Sequence, residues 1–237
     1  MQNQHNLEYS GLKELLITEK YRINYNNFIV ERCVKKMASP NGCVDFGAGI
    51  GTLSRILEKK LNLSVVCVEI DEENIRYLNN RALKNSRSIN DIEEDVDLVF
   101  SSNVLEHIED DVDSLCSIRR KLNSHGVLYL YLPASMLIWS KVDDIVGHYR
   151  RYSRSEIKQK LMSSGFEVES IYYADSIGFL AIFLIKLFRC NTDKVVESPK
   201  TLKIYDTFIF PLSKFLDAIG LKYLFGKNLI VFAKKID

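Results

Sequence analysis

Apolar and polar positions alternate in blocks along this chain. Cys43-Val44-Asp45-Phe46, Val65-Val66-Cys67-Val68, Asp97-Leu98-Val99-Phe100 and Val127 to Leu132 are short, nearly continuous apolar runs. Runs of this kind predict strands covered on both faces, and hence a parallel sheet. Helical spacing fills the gaps between them. Leu12 to Met37 reads as helix, with Leu12, Leu15, Leu16 and then Phe28, Ile29, Cys33 recurring, until Pro40-Asn41-Gly42 breaks the pattern. Thr52 to Lys60 carries Leu53, Ile56 and Leu57 on one face, and Asp110 to Leu122 carries Leu115, Ile118 and Leu122. Asp71 to Leu83 opens on three acids, which suit the positive end of a helix dipole. Phe166 to Tyr173 and Asn228 to Ala233 read as two later strands. One more strand is expected between Ser86 and Asp95, at a position that the polar sequence does not fix.

Strand and helix alternating on this scale indicate an α/β fold with an open, doubly wound sheet. Ligands on such sheets lie at the carboxyl ends of the strands, beside the point where strand order reverses. Four strand ends are therefore candidates for chemistry: Asp45 to Gly51, Glu69 to Asp71, Ser101 to His107, and Pro133 onward. No repeat or low-complexity tract intervenes.

Composition narrows the function classes. The chain has 237 residues, enough for one large domain, and 32 Lys+Arg against 31 Asp+Glu leave a net charge of +1. That balance lacks the basic excess of a dominant nucleic-acid surface, so no nucleic-acid partner is expected. The five cysteines (Cys33, Cys43, Cys67, Cys116, Cys190) form no CxxC pair, so neither a metal site nor a disulfide framework is expected. Cys43 and Cys67 read as small buried hydrophobes. Met1 to Asn6 carries no basic segment leading into an apolar core, so no secretory signal is expected and the cytoplasm is the default location.

Asp45-Phe46-Gly47-Ala48-Gly49-Ile50-Gly51 follows a strand and opens a helix. Glycines here admit a ligand against the backbone. Glu69 ends the next strand about 20 residues on, where a carboxylate can take both hydroxyls of a ribose. A dinucleotide loop would read GxGxxG, with a pyrophosphate on the helix N-terminus. This loop reads GxGxG, and Thr52 stands in the place of the expected third glycine. Asp45 would also repel a pyrophosphate, whereas it suits a ligand bearing an ammonium and a sulfonium. S-adenosylmethionine carries both and no phosphate.

The segment Val44 to Thr52 resembles the first motif of the class I methyltransferases, and Glu69 resembles their ribose-binding acid. Asp97 to Ile108, containing Ser102-Asn103-Val104-Leu105-Glu106-His107, resembles their fourth-strand motif, and Gly126 to Pro133 their fifth strand. Gly147-His148-Tyr149-Arg150-Arg151-Tyr152-Ser153, Gly165-Phe166-Glu167-Val168 and Gly226 to Ala233 resemble a bacterial subgroup associated with glycan or glycolipid pathways. The resemblance runs from Gly42 to the end of the chain. It implies a Rossmann-like seven-stranded sheet with an antiparallel last strand. It also implies S-adenosyl-L-methionine as cofactor, with contacts along Asp45, Gly47, Ala48, Gly49 and Gly51, at Glu69 and Ile70, and at Asn103 and Val104. Two departures stand out. Asn123-Ser124-His125-Gly126 replaces the usual Pro-Gly-Gly-like turn, and Asp91 and Asp95 compete as the adenine-binding acid. Residues 1–40 then form an N-terminal helical lid segment and 41–237 a methyltransferase domain, with an apolar helical insertion at 174–226.

Methyl transfer from a sulfonium needs orientation and a dry site, and a general base when the acceptor is a hydroxyl. Histidine is the natural base at neutral pH. Of the four histidines, His5 lies in a polar tail and His125 in a turn, leaving His148 and His107 as the catalytic candidates; each could instead brace its loop. Arg150 and Arg151 suit an acidic substrate group, or ion pairs with Asp143, Asp144 or Glu156. Tyr21, Arg22 and Tyr25 could lie over the cofactor. The insertion contains Ile177 to Phe188 and Phe208 to Leu212, neither reaching the ~18–20 residues of a bilayer span. It could roof the substrate site, contact the inner face of a membrane through 177–189 with Lys186, Arg189, Lys194 and Lys200 at its flanks, or form a homodimer contact. The expected acceptor is a small molecule or a glycan- or lipid-linked one, methylated on oxygen. The alternatives are a non-catalytic adenosylmethionine-binding module and a nicotinamide-dependent oxidoreductase, the latter disfavoured by Asp45 and Thr52.

Overall fold

The computed structural model describes residues 11–37, 39–188 and 198–236. Its centre is a seven-stranded sheet built from β1 (Cys43–Phe46), β2 (Val65–Val68), β3 (Asn85–Ser86), β4 (Val96–Ser102), β5 (Leu122–Pro133), β6 (Phe166–Ala174) and β7 (Asn228–Lys235). The spatial order is β3-β2-β1-β4-β5-β7-β6. β7 is antiparallel to both of its neighbours, and the other pairings are parallel. Order therefore reverses between β1 and β4, which sets the ligand crevice at their carboxyl ends.

Both faces are covered, as the apolar runs require. β5 shows the division residue by residue. Leu128, Leu130 and Leu132 join one core cluster, whereas Tyr129 and Tyr131 join the other. On the first face lie α5 (Asp111–Lys121) and α7 (Arg154–Ser163), through Leu115, Ile118, Ile157 and Leu161. On the second lie α2 (Ile23–Val34) and α3 (Thr52–Leu61), through Phe28, Ile29, Val30 and Leu57. The tyrosine hydroxyls on this face find acceptors in the helix above: Tyr129 donates to the Ile29 carbonyl at 2.9 Å.

The structure revises three expectations. The helix expected over Leu12 to Met37 is two, α1 (Leu12–Tyr21) and α2, because Arg22 leaves helical geometry at φ −113°, ψ 48°. The third strand is Asn85–Ser86, overlapping the span expected for it only at Ser86, and is two residues long. β5 begins earlier than Val127, and Asn123–Gly126 bulges out of its pairing with β4 while His125 takes a positive φ of 61°. That bulge replaces the turn the sequence lacked. Asp71 and Asp110 are N-caps of α4 (Glu72–Asn80) and α5, their carboxylates accepting from Asn74 and Asp113. Cys43 and Cys67 are buried, as their apolar runs indicated. His5, Arg189, Cys190 and Lys194 lie outside the described residues.

Between β6 and β7 the insertion forms a helical hairpin. α8 (Ser176–Leu187) is followed by α9 (Pro199–Ile204), a π turn (Tyr205–Ile209) and α10 (Phe210–Ala218). A short α6 (Lys141–Ile145) lies between β5 and α7.

Candidate active site

The carboxyl ends of β1, β2, β4 and β5 open into a cavity of about 1350 Å³. Its floor is the glycine loop after β1. Gly47 and Ala48 donate their N–H groups to the Val68 carbonyl at 2.9 and 3.0 Å, which locks the loop to β2. Gly47 has a φ of +78°, and a Cβ on it would stand 2.2 Å from Val104 Cγ2, so only glycine closes the loop against β4. Gly51 at φ +79° is equally constrained, by Leu83 and Leu78, but by core packing and not by the cavity, which it does not line.

Glu69 ends β2 inside this cavity, and its carboxylate accepts from the N–H groups of Gly49 (2.7 Å), Ile70 (2.8 Å) and Asp71 (3.0 Å). Three backbone donors, two on Oε1 and one on Oε2, fix the carboxylate and leave an acceptor site on Oε2 open. Ile70 beside it is 79% exposed and gives the cavity an apolar wall. Across the sheet, Asn103 (φ 54°) turns the chain after β4, and with Val104 faces the same space. Ala48, Gly49, Glu69, Ile70, Asn103 and Val104 are thus brought together around one volume. Asp45 is not. It is 2% exposed behind the cavity wall, accepts from Ser54 Oγ at 2.6 Å, and burial with the neighbouring Glu69 pushes its carboxyl up to about 7. Neither Asp91 nor Asp95 lines the cavity; Ser88, Ile89 and Asn90 do.

The opposite end of the cavity is polar. His148 Nδ1 stands 2.8 Å from Asp143 Oδ1, which also accepts from Arg151 Nε at 2.7 Å. Burial alone would raise the Asp143 carboxyl, but the bonds from His148 and Arg151 outweigh it and hold it well below the usual carboxylate range. An ionised carboxylate only accepts, so Nδ1 carries the proton and Nε2 of His148 is directed away from Asp143. Nε2 lies 4.0 Å from Glu106 Oε1. The His107 ring packs edge-on to His148 with centroids 4.6 Å apart, and burial followed by His148 lowers its pKa to about 4. Glu106 is fully buried with neither carboxylate oxygen hydrogen-bonded, and burial raises it to about 8. Among the described residues, Glu106, His107 and His148 form the one group whose ligand atoms come within 4.8 Å of one another, close enough to consider for a metal ion.

Arg151 meets the ion-pair expectation with Asp143, while Arg150 pairs instead with Asp111 at 2.8 Å. Arg22 and Tyr25 line the cavity from the start of α2; Tyr21 does not. Lys227, unremarked in the sequence, lines it too, and burial followed by the nearby Arg22 lowers its pKa to about 8. Glu106 lies within the fourth-strand motif, yet its isolation depends on a loop some 40 residues later folding over it. Asp143, named only as an ion-pair partner of the arginines, orients His148 as well.

The chain matches a family model described as a methyltransferase domain over residues 19–171. No curated protein sequence matches it. Among solved structures, it is similar to a chain from the complex of the Haloferax volcanii Trm112 methyltransferase activator with a methyltransferase (16% identity, 97% of this chain and 98% of that one, TM-score 0.64). It is similar to a SAM-dependent methyltransferase from Archaeoglobus fulgidus (15%, 94% and 99%, 0.59). It also resembles Haemonchus contortus phosphoethanolamine N-methyltransferase 2, solved with S-adenosyl-L-methionine (19%, 82% and 48%, 0.52). The glycine cradle that a Cβ would fill, the anchored Glu69 and the matched domain agree, and the chain belongs to the methyltransferase-domain family, enzymes whose methyl donor is S-adenosylmethionine.

Proposed function

We propose that the protein methylates an oxygen of an acidic acceptor, either a small molecule or a glycan- or lipid-linked one met at a membrane surface. The observation that carries this reading is His148, which lines the same cavity as the glycine loop and Glu69 and is held from behind by the buried Asp143. The cofactor, when bound, supplies a methyl group already activated for in-line displacement. The loop Gly47, Ala48 and Gly49, with Glu69, Ile70, Asn103 and Val104, holds it by the groups described above. Asp45 acts from behind the loop, its charge depending on what binds in front. The N-terminal segment, through α1 and α2, closes over the donor: Leu15 lies against Gly49, and α1 itself has no buried residue.

An acceptor hydroxyl must lose its proton as it attacks, and His148 takes it on Nε2 while Asp143 steadies the imidazolium. His107, kept neutral by burial, shapes the pocket beside it. Arg22 and Lys227 support an acidic group on the acceptor. Both line the cavity, and neither is hydrogen-bonded to a carboxylate among the described residues.

The test is kinetic. His148→Ala and Asp143→Asn should each lower turnover by about a hundredfold or more, with adenosylmethionine affinity nearly unchanged. Labelled methyl transfer into product, followed with and without EDTA, checks the assignment. Near-normal turnover of His148→Ala removes the base, and loss of activity on chelation transfers the role to a metal.

A further inference from the structure

The helical hairpin between β6 and β7 places polar groups inward, beside the core residue Phe210. Asp217 accepts from the N–H groups of Asp175 (2.8 Å) and Ser176 (3.4 Å), and Ser213 Oγ accepts from Ile177 N–H (3.1 Å). Asp206 turns inward too, capping α2 through the N–H groups of Asn24 and Tyr25, each at 2.9 Å. The outward face is apolar. On α8, Leu180, Leu184 and Leu187 repeat at helical spacing and are exposed. On the α9–α10 rod, Ile204, Phe208, Leu212, Phe215 and Ile219 form a second stripe, with Phe208 71% and Phe215 61% exposed. A surface helix in water orders its faces the other way.

Charge selects what covers this face. The acids of the described hairpin, Asp175, Asp206 and Asp217, are all buried, and the charged side chains it exposes among the described residues are lysines, Lys186, Lys200 and Lys203. Apolar stripes whose exposed charges, among the described residues, are cations match an anionic lipid surface, which accepts the hydrocarbon and attracts the ammonium groups together. Among the described residues no helix is long and apolar enough to cross a membrane, so the hairpin would lie along it. The surface continues toward the site. Lys186 donates to the carbonyls of Leu137 and Trp139, tying α8 to a segment whose Met136, Leu137 and Ile145 are exposed and whose Val142 lines the cavity.

We propose that the outward face of α8 and α10 docks on an anionic lipid bilayer, with the cavity mouth turned toward the headgroups. This goes beyond the acceptor reading and does not require it. The full chain would be sedimented with vesicles of phosphatidylcholine plus phosphatidylglycerol, and with phosphatidylcholine alone. Cosedimentation with the anionic vesicles, weakened by salt, is the expected result. Phe208→Ser with Phe215→Ser should weaken it by about tenfold or more. Lys200→Glu with Lys203→Glu should weaken it toward anionic vesicles alone, which keeps the test valid should the first variant fold poorly. Wild-type protein left in the supernatant overturns the proposal. So does a stable dimer in light scattering that the phenylalanine variant dissociates, for then a second copy covers the face. Adenosylmethionine binding measured on the same samples separates the two readings, because its survival leaves methyl transfer standing when docking fails.

Discussion

Gly47 combines two constraints that a methyl group would violate together, a left-handed backbone and the 2.2 Å approach to Val104. Gly47→Ala should therefore cost about 2 kcal/mol or more of stability and weaken adenosylmethionine binding, checked by thermal melting and calorimetry. Glu106 gives a pH signature. Its folded pKa of about 8 lies above the ordinary 4.5, so its contribution to stability is complete below about pH 4.5 and is lost as pH rises through about 8. Glu106→Gln removes the titration. Its melting temperature should change less between pH 5 and 9 than that of the wild type, and an equal slope would show that Glu106 is not the buried acid responsible. The sequence discloses these residues unevenly. Gly47, Gly49 and Glu69 are legible because their spacing is itself the geometry of a strand–loop–helix. Asp143 and Glu106 are less so, since hydrogen-bond partners and their lack arise only when the loop after β5 closes on the loop after β4.

At the scale of elements, the apolar runs disclose β1, β2, β4 and β5 because strands buried on both faces leave no polar alternation to misread. β3 escapes for the opposite reason: two polar residues at the sheet edge carry no pattern. The break at Arg22 is also silent in the sequence, since apolar spacing continues across it. That break matters, because it frees α1 to lie over the glycine loop while α2 packs on the sheet. Glu19 ties α1 there, its two oxygens accepting from both terminal nitrogens of Arg81 at 2.8 Å. Although burial alone would raise the Glu19 carboxyl, the Arg81 hydrogen bonds and charge leave it lowered. Arg81→Ala should loosen α1 and raise the adenosylmethionine dissociation constant by about three- to tenfold. Little change in melting temperature is expected, because α1 buries no residue; a large drop would make α1 part of the core and not a cover.

Across the whole molecule, two surfaces of different character sit on one rigid sheet. The glycine loop, Glu69 and His148 converge on a single cavity, and the hairpin carries its exposed apolar stripes outside it. Asp206 joins them: it belongs to the outer hairpin, yet its carboxylate satisfies the first N–H groups of α2, whose start at Arg22 and Tyr25 forms part of the cavity wall. The two surfaces thus meet at Asp206. If lipid binding steadies the hairpin and so the start of α2, the donor must bind more tightly on vesicles than in buffer. By linkage, the donor must then strengthen lipid attachment by the same factor. A surface and a small molecule that never touch would in that way report on each other, and the equality of the two factors is measurable.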